Sequence, residues 1–314
     1  MNLNARALWA VESLLSHAEE RRVAAHPIEL GGRFVDCGIE VRGGLLAGLE
    51  LARICLSDLA QVAIVPGSVG GRACPVVEVL TDQPVAACLA SQYAGWAIQV
   101  GKFFAMGSGP MRAAAGKEAI FDKIGRRESP QAVVGVLEGR KQPTPEAVAM
   151  IAAACRVPRS SVTLVVAPTA SLAGGVQIVA RSVETALHKL SELDFDLGRI
   201  VSACGWSPLP PVAHHDLAAI GRTNDAILYG ARVVIDVACN DATIEAIGPR
   251  VPSSASPDYG APFAEIFERY GRDFYKVDPH LFSPAEVVFR SLESGRSHAF
   301  GAVDEAVLAR SFNS

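Results

Sequence analysis

Apolar runs of strand length alternate along this chain with segments that have the periodicity of an amphipathic helix. Arg33–Val41 is predicted as a strand, and the apolar segment after Gly43-Gly44 as a helix that ends at Leu56. The same strand–helix order recurs at Ala132–Leu137, Pro145–Cys155, Val162–Ala167 and Gly175–Leu193. Further strands are predicted at Val62–Val65, Pro75–Leu80, Trp96–Val100 and Ala231–Cys239, and further helices at Val85–Ala94, Pro110–Ile124 and Ala261–Tyr270. This alternation predicts an α/β architecture.

The C-terminal third is less regular. Ser294-Gly295 lies between the predicted strands Glu286–Leu292 and Arg296–Val303, which indicates a hairpin with a short turn. Asp304 is predicted to cap a last helix that runs through Arg310. The Ser- and Pro-rich segment Ser253–Pro257 is predicted as a surface loop.

Composition and charge limit the class of protein. Half of the 314 residues are hydrophobic, a fifth are charged and the formal net charge is −4, as expected for a globular protein of one large domain or two smaller ones. A nucleic-acid partner is not predicted, because there is neither a basic excess nor a basic stripe. The amphipathic N-terminus does not resemble a secretory signal, and no apolar run approaches the roughly 20 residues that span a bilayer. We therefore expect neither export nor membrane insertion.

Seven cysteines occur at positions 37, 55, 74, 88, 155, 204 and 239. The number is odd and no C-x-x-C pair is present, so neither a disulfide framework nor a structural zinc site is predicted. Most of these cysteines lie in apolar segments, where they are expected to be small buried side chains. Reduced thiols predict a cytoplasmic protein.

The segment from Val165 to Leu190 carries the most information about a site. A strand is predicted to end at Ala167, before a turn that contains Thr169 and Ser171 and a long helix from Gly175. At helical spacing, four polar side chains line up beside the apolar face of that helix and form what we call the polar stripe: Gln177, Arg181, Glu184 and His188. This stripe suits the wall of a cleft, since α/β proteins bind ligands beyond the carboxyl ends of strands. An ordinary surface ion pair between Arg181 and Glu184 is the alternative.

Two further segments are candidate sites. Gly107-Ser108-Gly109 with Arg112 could hold a phosphate or carboxylate, although a plain turn is the alternative and no complete phosphate-loop motif is present. The second segment has four consecutive polar residues, Arg222, Thr223, Asn224 and Asp225. They are predicted to bind a ligand, and the alternative is that Thr223, Asn224 or Asp225 caps the N-terminus of a helix.

Metal chemistry has little support in the sequence. His214-His215-Asp216 could be read as metal ligands, but neighbouring side chains diverge, and a solvated loop is the alternative. No HExxH motif and no G-x-S-x-G nucleophile elbow is present, so no metal is predicted.

Taken together, motifs over nearly the whole chain resemble methenyltetrahydromethanopterin cyclohydrolases. The matching segments run from Cys37-Gly38-Ile39-Glu40 through Thr81-Asp82-Gln83-Pro84, Ala94-Gly95-Trp96, residues 104–110, residues 166–171, Arg181 to Glu184, residues 221–225, Asp258-Tyr259-Gly260, Asp273-Phe274-Tyr275-Lys276 and Asp278-Pro279.

The resemblance implies a hydrolase of tetrahydromethanopterin-dependent one-carbon metabolism, such as formaldehyde oxidation. Water adds to the cationic methenyl carbon between two pterin nitrogens and yields the N5-formyl compound. It also implies two α/β domains with a ligand cleft between them, a homotrimer and no cofactor. We place the domain boundary between residues 168 and 169, and segments on one side of this boundary can belong to the domain on the other side.

Two residues match the family's catalytic positions. Glu184 matches its catalytic glutamate, and a carboxylate that deprotonates the attacking water is the group this reaction needs. Arg181 matches the family's arginine one turn earlier and would keep Glu184 ionised. The anionic tail of the carrier would suit Gly107–Gly109 with Arg112, or Arg222. A non-catalytic pterin-carrier-binding protein and a folate-type cyclohydrolase or transferase are the alternatives.

Overall fold

A computed structural model describes residues 2–273 and 276–313. Phe274 and Tyr275, which belong to one of the segments that support the resemblance, lie outside the described residues. The α-helices are α1 (Leu3–Leu15), α2 (Ala18–Arg21), α3 (Leu45–Cys55), α4 (Met111–Ala115), α5 (Ile120–Ile124), α6 (Pro145–Cys155), α7 (Leu172–Val179), α8 (Ser182–Glu192), α9 (Asp216–Leu228), α10 (Asp241–Ile247), α11 (Phe263–Arg269) and α12 (Glu305–Asn313).

The strands are β1 (Ala24–Pro27), β2 (Arg33–Asp36), β3 (Gln61–Val65), β4 (Ser68–Val69), β5 (Arg72–Ala73), β6 (Val76–Thr81), β7 (Trp96–Val100), β8 (Phe103–Ser108), β9 (Val133–Glu138), β10 (Val162–Ala167), β11 (Ile200–Pro208), β12 (Arg232–Val237), β13 (Glu286–Ser291) and β14 (Ser297–Gly301). The predicted α/β class is confirmed. Within the described part of the chain, no helix has both the length and the apolar character needed to cross a bilayer.

The chain divides into two compact units, and each unit is formed by two separate segments of the chain. Unit 1 comprises residues 1–60 and 86–177, and unit 2 comprises residues 61–85 and 178–314. A single boundary after residue 168 therefore does not describe this division, because residues 61–85 supply β3 and β6 to the sheet of unit 2.

Unit 1 is built on a six-stranded mixed sheet in the order β1-β2-β10-β9-β8-β7. The central strands β2, β10 and β9 are parallel. Side chains alternate across β9: Val134 and Val136 pack in the core with α1 and α3, whereas Val133 and Leu137 pack in the core with α6. Strand β10 is buried along its whole length, as expected for a parallel strand covered on both faces.

Unit 2 contains the second six-stranded sheet, in the order β14-β13-β12-β11-β6-β3. Helix α8 packs against β11 and β12, and a separate apolar core joins α9, α11 and α12. The predicted C-terminal hairpin is confirmed, since β13 and β14 pair antiparallel. The predicted cap is also confirmed, because Asp304 Oδ1 accepts hydrogen bonds from the backbone N–H groups of Ala306 and Val307 at 3.1 and 3.0 Å.

Several predicted elements have different bounds. The segment Pro110–Ile124 is two short helices rather than one, because Gly116 takes a left-handed conformation with φ of 57° and ends α4. The segment Val85–Ala94 contains a π-helix over Val85–Gln92. The prediction of a surface loop at Ser253–Pro257 is wrong in part, because Ser253 and Ser256 are buried.

The predicted long helix from Gly175 is interrupted. Helix α7 ends at Val179, Ala180 and Arg181 form a turn, and α8 begins at Ser182. The backbone N–H of Arg181 donates to the carbonyl of Ile178, three residues back, which is the tighter pattern of a 3₁₀ turn. The polar stripe therefore does not lie on one straight helix.

Candidate active site

The parallel strands of unit 1 end side by side. In the register of the sheet, Asp36 of β2 pairs with Val166 of β10, and Ala167 of β10 pairs with Glu138 of β9. The loops that follow these strands start at the same edge of the sheet, where α/β folds usually bind ligands. The predicted site residues Thr169 and Ser171 follow β10 at this edge.

Asp36 organises the first of these loops. Its Oδ1 accepts hydrogen bonds from the backbone N–H groups of Gly38 and Ile39 at 2.8 and 2.6 Å, and its Oδ2 from those of Glu40 and Val41 at 2.8 and 3.2 Å. Because the side chain captures these groups, they are not available for a sheet ladder, and the predicted strand Arg33–Val41 ends at Asp36.

Thr169 and Ser171 both make hydrogen bonds. The Thr169 hydroxyl donates to Glu138 Oε1 at 2.5 Å. The Ser171 hydroxyl donates to the Pro168 carbonyl at 2.7 Å and accepts from the N–H of Gly174 at 3.0 Å, so it stabilises the turn into α7. Glu138, which this hydrogen bond brings next to Thr169, was not among the predicted site residues. Its position at the end of an apolar strand was the only sign of a site in the sequence. Acidic residues are common where a strand passes into a loop, so this position alone did not indicate a function.

Gly107, Ser108 and Gly109 lie at the end of β8 and in the turn after it. Ser108 is buried, and its hydroxyl donates to the Val136 carbonyl at 3.3 Å. Gly109 has φ of 83°, and a Cβ there would stand 3.2 Å from the backbone nitrogen of Val136. Close approach to the neighbouring strand therefore accounts for this glycine.

Arg112 lies inside unit 1 and has many partners there. Its side chain is fully buried and forms an ion pair with Glu118, with Nε to Oε1 and Oε2 distances of 2.9 and 3.0 Å. Its Nη1 donates to the carbonyls of Leu89 and Ser91 at 3.2 Å each, and its guanidinium lies 4.8 Å from the ring centre of Tyr93. These contacts favour a structural function, and binding of an anionic tail by Arg112 stays a prediction.

The segment 222–225 lies within α9, so the N-cap interpretation of Thr223, Asn224 and Asp225 is wrong. The cap is His215, whose Nδ1 accepts from the N–H of Ala218 at 3.1 Å. His214 and His215 are both exposed, which confirms the solvated-loop interpretation.

The four side chains of this segment have distinct surroundings. Arg222 is half-buried, and its Nη1 donates to the Pro211 carbonyl at 3.2 Å. Thr223 and Asn224 donate back to the carbonyls of Ala219 and Ile220 at 2.8 Å. Asp225 is buried and accepts from the N–H of Phe263 at 2.7 Å. Burial, only partly offset by the hydrogen bonds from Ser311 and Phe263, raises the pKa of Asp225 to about 7.

Arg181 and Glu184 form a buried ion pair at the start of α8. Arg181 occupies the N-cap position and Glu184 the third helical position, with an Nη1 to Oε2 distance of 3.9 Å. Their side chains are only 9% and 5% exposed, so the interpretation as a surface ion pair is wrong. The N-terminus of α8 and the guanidinium both favour the ionised carboxylate. Gln177, in α7, is also buried.

The described residues contain neither a metal-binding cluster nor a disulfide. Over residues 2–273 and 276–313, no three His, Cys, Asp or Glu side chains come together as a set that could hold a metal ion. None of the seven cysteines forms a disulfide, and five of them are buried, as expected for most of them. Burial raises the pKa of Cys155 to about 12.

Comparisons with known proteins identify the family. A family model described as "Cyclohydrolase (MCH)" matches residues 2–312. A methenyltetrahydromethanopterin cyclohydrolase of Rhodopirellula baltica is 48% identical over 289 residues, which are 90% of this chain and 86% of the relative. Those of Methylobacterium sp. strain 4-46 and Methanococcoides burtonii are 44% and 39% identical, over 99% of this chain and 97% and 98% of the relatives. The chain therefore belongs to the methenyltetrahydromethanopterin cyclohydrolase family.

Proposed function

We propose that this chain hydrolyses the N5,N10-methenyl bridge of methenyltetrahydromethanopterin to the N5-formyl compound, with Glu184 as the general base. Family membership supports the substrate and the reaction. The buried ion pair of Arg181 and Glu184 is the observation that supports the assignment of residues.

Burial of this pair has an energetic cost that packing alone does not explain. Removing a charged side chain from water costs several kcal/mol per ion, and mutual attraction offsets this only when the geometry is good. Apolar side chains of similar size are often as stable at such positions. Because packing does not require two buried charges here, their retention favours a chemical function.

The reaction needs a base that takes a proton from the attacking water and then an acid that protonates the leaving nitrogen. Water oxygen bonds to the cationic methenyl carbon while one of its protons passes to the Glu184 carboxylate. In the tetrahedral adduct the bond from that carbon to N10 breaks, and N10 takes the proton back from Glu184. The adduct hydroxyl loses its proton to solvent and becomes the formyl carbonyl. One proton is released overall, and Glu184 returns to its ionised form.

Arg181 sets the charge of the site. A lone arginine would repel the cationic substrate, whereas the pair with Glu184 is neutral overall. The guanidinium also favours the ionised form of Glu184, which is the form that can accept a proton from water.

We assign binding of the anionic carrier tail to Arg222 rather than Arg112. Arg222 is half-buried, so part of its side chain is accessible, whereas the Arg112 side chain is fully buried against Glu118. The hydroxyl of Thr169 and the carboxylate of Glu138 supply hydrogen-bonding groups at the carboxyl edge of the unit 1 sheet. Contacts of the substrate with Gly107, Ser108, Gly109, Ser171, Gln177 and the segment Thr223–Asp225 remain predictions.

Glu184→Gln tests the assignment. The change is nearly isosteric but removes the base, so kcat should fall by about 10²–10⁴-fold while the circular dichroism spectrum and melting temperature stay close to wild type. The assay is the loss of methenyl absorbance. Glu192→Gln, an exposed glutamate on the same helix, is the control and should retain kcat. A Glu184→Gln variant with kcat within about threefold of wild type would exclude Glu184 as the base.

The same assay separates the alternative functions. A carrier-binding protein would bind the methenyl compound without loss of absorbance. A folate-type enzyme would turn over methenyltetrahydrofolate at least as fast as the methanopterin compound.

We also propose a cytoplasmic homotrimer that uses neither metal nor cofactor and takes part in formaldehyde oxidation. The free thiols and the family resemblance support this proposal. Light scattering after size-exclusion chromatography tests the trimer, and activity in the presence of a chelator tests the absence of a metal.

A further inference from the structure

The sheet of unit 2 has a one-residue gap under the start of α8. Ala203, Gly205 and Ser207 of β11 are buried. In the register of the sheet, Gly205 stands between Val79 of β6 and Val233 of β12, both fully buried. We call the space left by the missing side chain between these two valines the Gly205 gap.

The first residues of α8 occupy this gap. A Cβ added at Gly205 would stand 2.6 Å from Ser182 Oγ, 3.2 Å from Ser182 Cβ and 3.0 Å from Val183 Cγ2. Carbon atoms pack best at about 3.5–4.0 Å. The Ser182 hydroxyl could rotate away, but Ser182 Cβ is fixed to the helix backbone, so relief of its contact would move the first turn of α8 away from the sheet by roughly a few tenths of an ångström. The backbone of Gly205 lies outside the left-handed region, so an alanine there would meet this steric conflict without backbone strain.

Hydrogen bonding does not explain the serine in the gap. Ser182 is fully buried, yet its hydroxyl has no hydrogen-bond partner among the described residues. A buried hydroxyl without a partner destabilises a protein, so its removal should cost little or even stabilise the fold. The small size of the side chain is what allows the helix to lie this close to β11.

Arg181 and Glu184 flank Ser182 in the same turn of backbone. We propose that Gly205 is a positioning residue, and that the Gly205 gap sets the depth at which the Arg181–Glu184 pair is held. This proposal rests on the proposed function of Glu184. Gly205 itself would not touch the substrate. A displacement of the turn would carry both charged groups away from the place where the water must be held, and misplacement by about 1 Å can cost about 100-fold in rate.

The experiment compares Gly205→Ala, Ser182→Ala and the double variant. We expect Gly205→Ala to lose kcat by about 10–100-fold, measured per folded enzyme well below the melting temperature. Ser182→Ala should be close to wild type. The double variant should recover a large part of the lost kcat, because the closest clash, with Ser182 Oγ, is gone.

Val233→Ala is the matched control. It removes a buried side chain beside the gap and should lower the melting temperature through a cavity, but it leaves the first turn of α8 free of any clash. Its kcat per folded enzyme should be unchanged. The control therefore separates a loss of stability from a change of position.

Three results would overturn the positioning proposal: wild-type kcat in Gly205→Ala, a loss no greater than that of Val233→Ala at matched stability, or a double variant no better than Gly205→Ala. If Glu184→Gln remains active, the proposed base is wrong and the positioning proposal fails with it. If Glu184→Gln is inactive and Gly205→Ala is fully active, only the positioning proposal fails.

Discussion

Asp225 makes the stability of unit 2 depend on pH in a direction opposite to that of most carboxylates. Its pKa is raised from 3.8 to about 7 by burial. Between these values the folded protein holds a proton at Asp225 that the unfolded chain releases. The contribution of protonated Asp225 to the free energy of unfolding is therefore fully present below pH 3.8 and is lost as the pH rises through 7.

Asp225→Asn replaces the titrating group with a neutral one of the same shape. The amide oxygen can still accept from the N–H of Phe263, and the amide nitrogen can donate to Ser311, which hydrogen-bonds to Asp225. One pKa unit corresponds to about 1.36 kcal/mol. The rise of the Asp225 pKa to about 7 therefore limits the free energy of unfolding that ionised Asp225 can cost to about 4 kcal/mol. The variant should be more stable than wild type by up to this amount at pH 8, and by less than about 1 kcal/mol near pH 4.

Urea unfolding of wild type and variant between pH 4 and pH 8 measures the difference in the free energy of unfolding. Taking the difference removes the contribution of all other carboxylates. Asp122→Asn, at an exposed aspartate, is the control for the effect of the aspartate-to-asparagine change itself. A difference for Asp225→Asn that is flat with pH, or a variant less stable than wild type at pH 8, would refute the argument that burial dominates at this position.

Two other buried charges lead to predictions. Burial lowers the pKa of Lys189 to about 8, so the wild-type free energy of unfolding should gain a contribution as the pH rises from about 8 to 10.5, and urea unfolding should show that Lys189→Met lacks it. An identical pH dependence in both proteins would contradict this. Arg112→Met should lower the free energy of unfolding by about 3–5 kcal/mol, because it leaves the Glu118 carboxylate and two carbonyls without their partner. If instead KM rises with the melting temperature unchanged, Arg112 binds substrate.

Elements with strong local signals could be predicted from the sequence almost to the residue. Val162–Ala167 was predicted with the observed bounds from its mostly apolar run of strand length, and all six residues are buried. Pro145–Cys155 was also predicted with its observed bounds, since Thr144 and Pro145 form a typical N-terminus, and the Thr144 side chain does cap the helix.

Other features could not be predicted from the sequence, because they depend on a side chain far along the chain or on the backbone itself. Arg112 follows a Gly-Ser-Gly segment, for which the sequence left two interpretations: a site for a phosphate or carboxylate, or a plain turn. In the folded chain its ion-pair partner is Glu118, six residues on, and its other hydrogen-bond partners are carbonyls more than twenty residues back. Periodicity carries no information about such pairing. The strand after Arg33 was predicted to continue to Val41 because the apolar pattern continues, but the Asp36 carboxylate captures the next backbone N–H groups.

The break between α7 and α8 had no local signal, since neither glycine nor proline stands at positions 178–183. It nevertheless changes the electrostatics of the candidate site. In one continuous helix, Glu184 would lie in the interior, where every backbone N–H is already paired. Because a new helix begins at Ser182, Glu184 falls in a first turn, where backbone N–H groups point towards the helix start and carry partial positive charge. The carboxylate is then stabilised from two directions, by Arg181 and by the helix N-terminus. A buried carboxylate without such support would keep its proton, and a protonated carboxyl group cannot act as the base that this reaction requires. The position of the break, as much as the identity of Glu184, therefore supports the proposal that this residue accepts a proton from water.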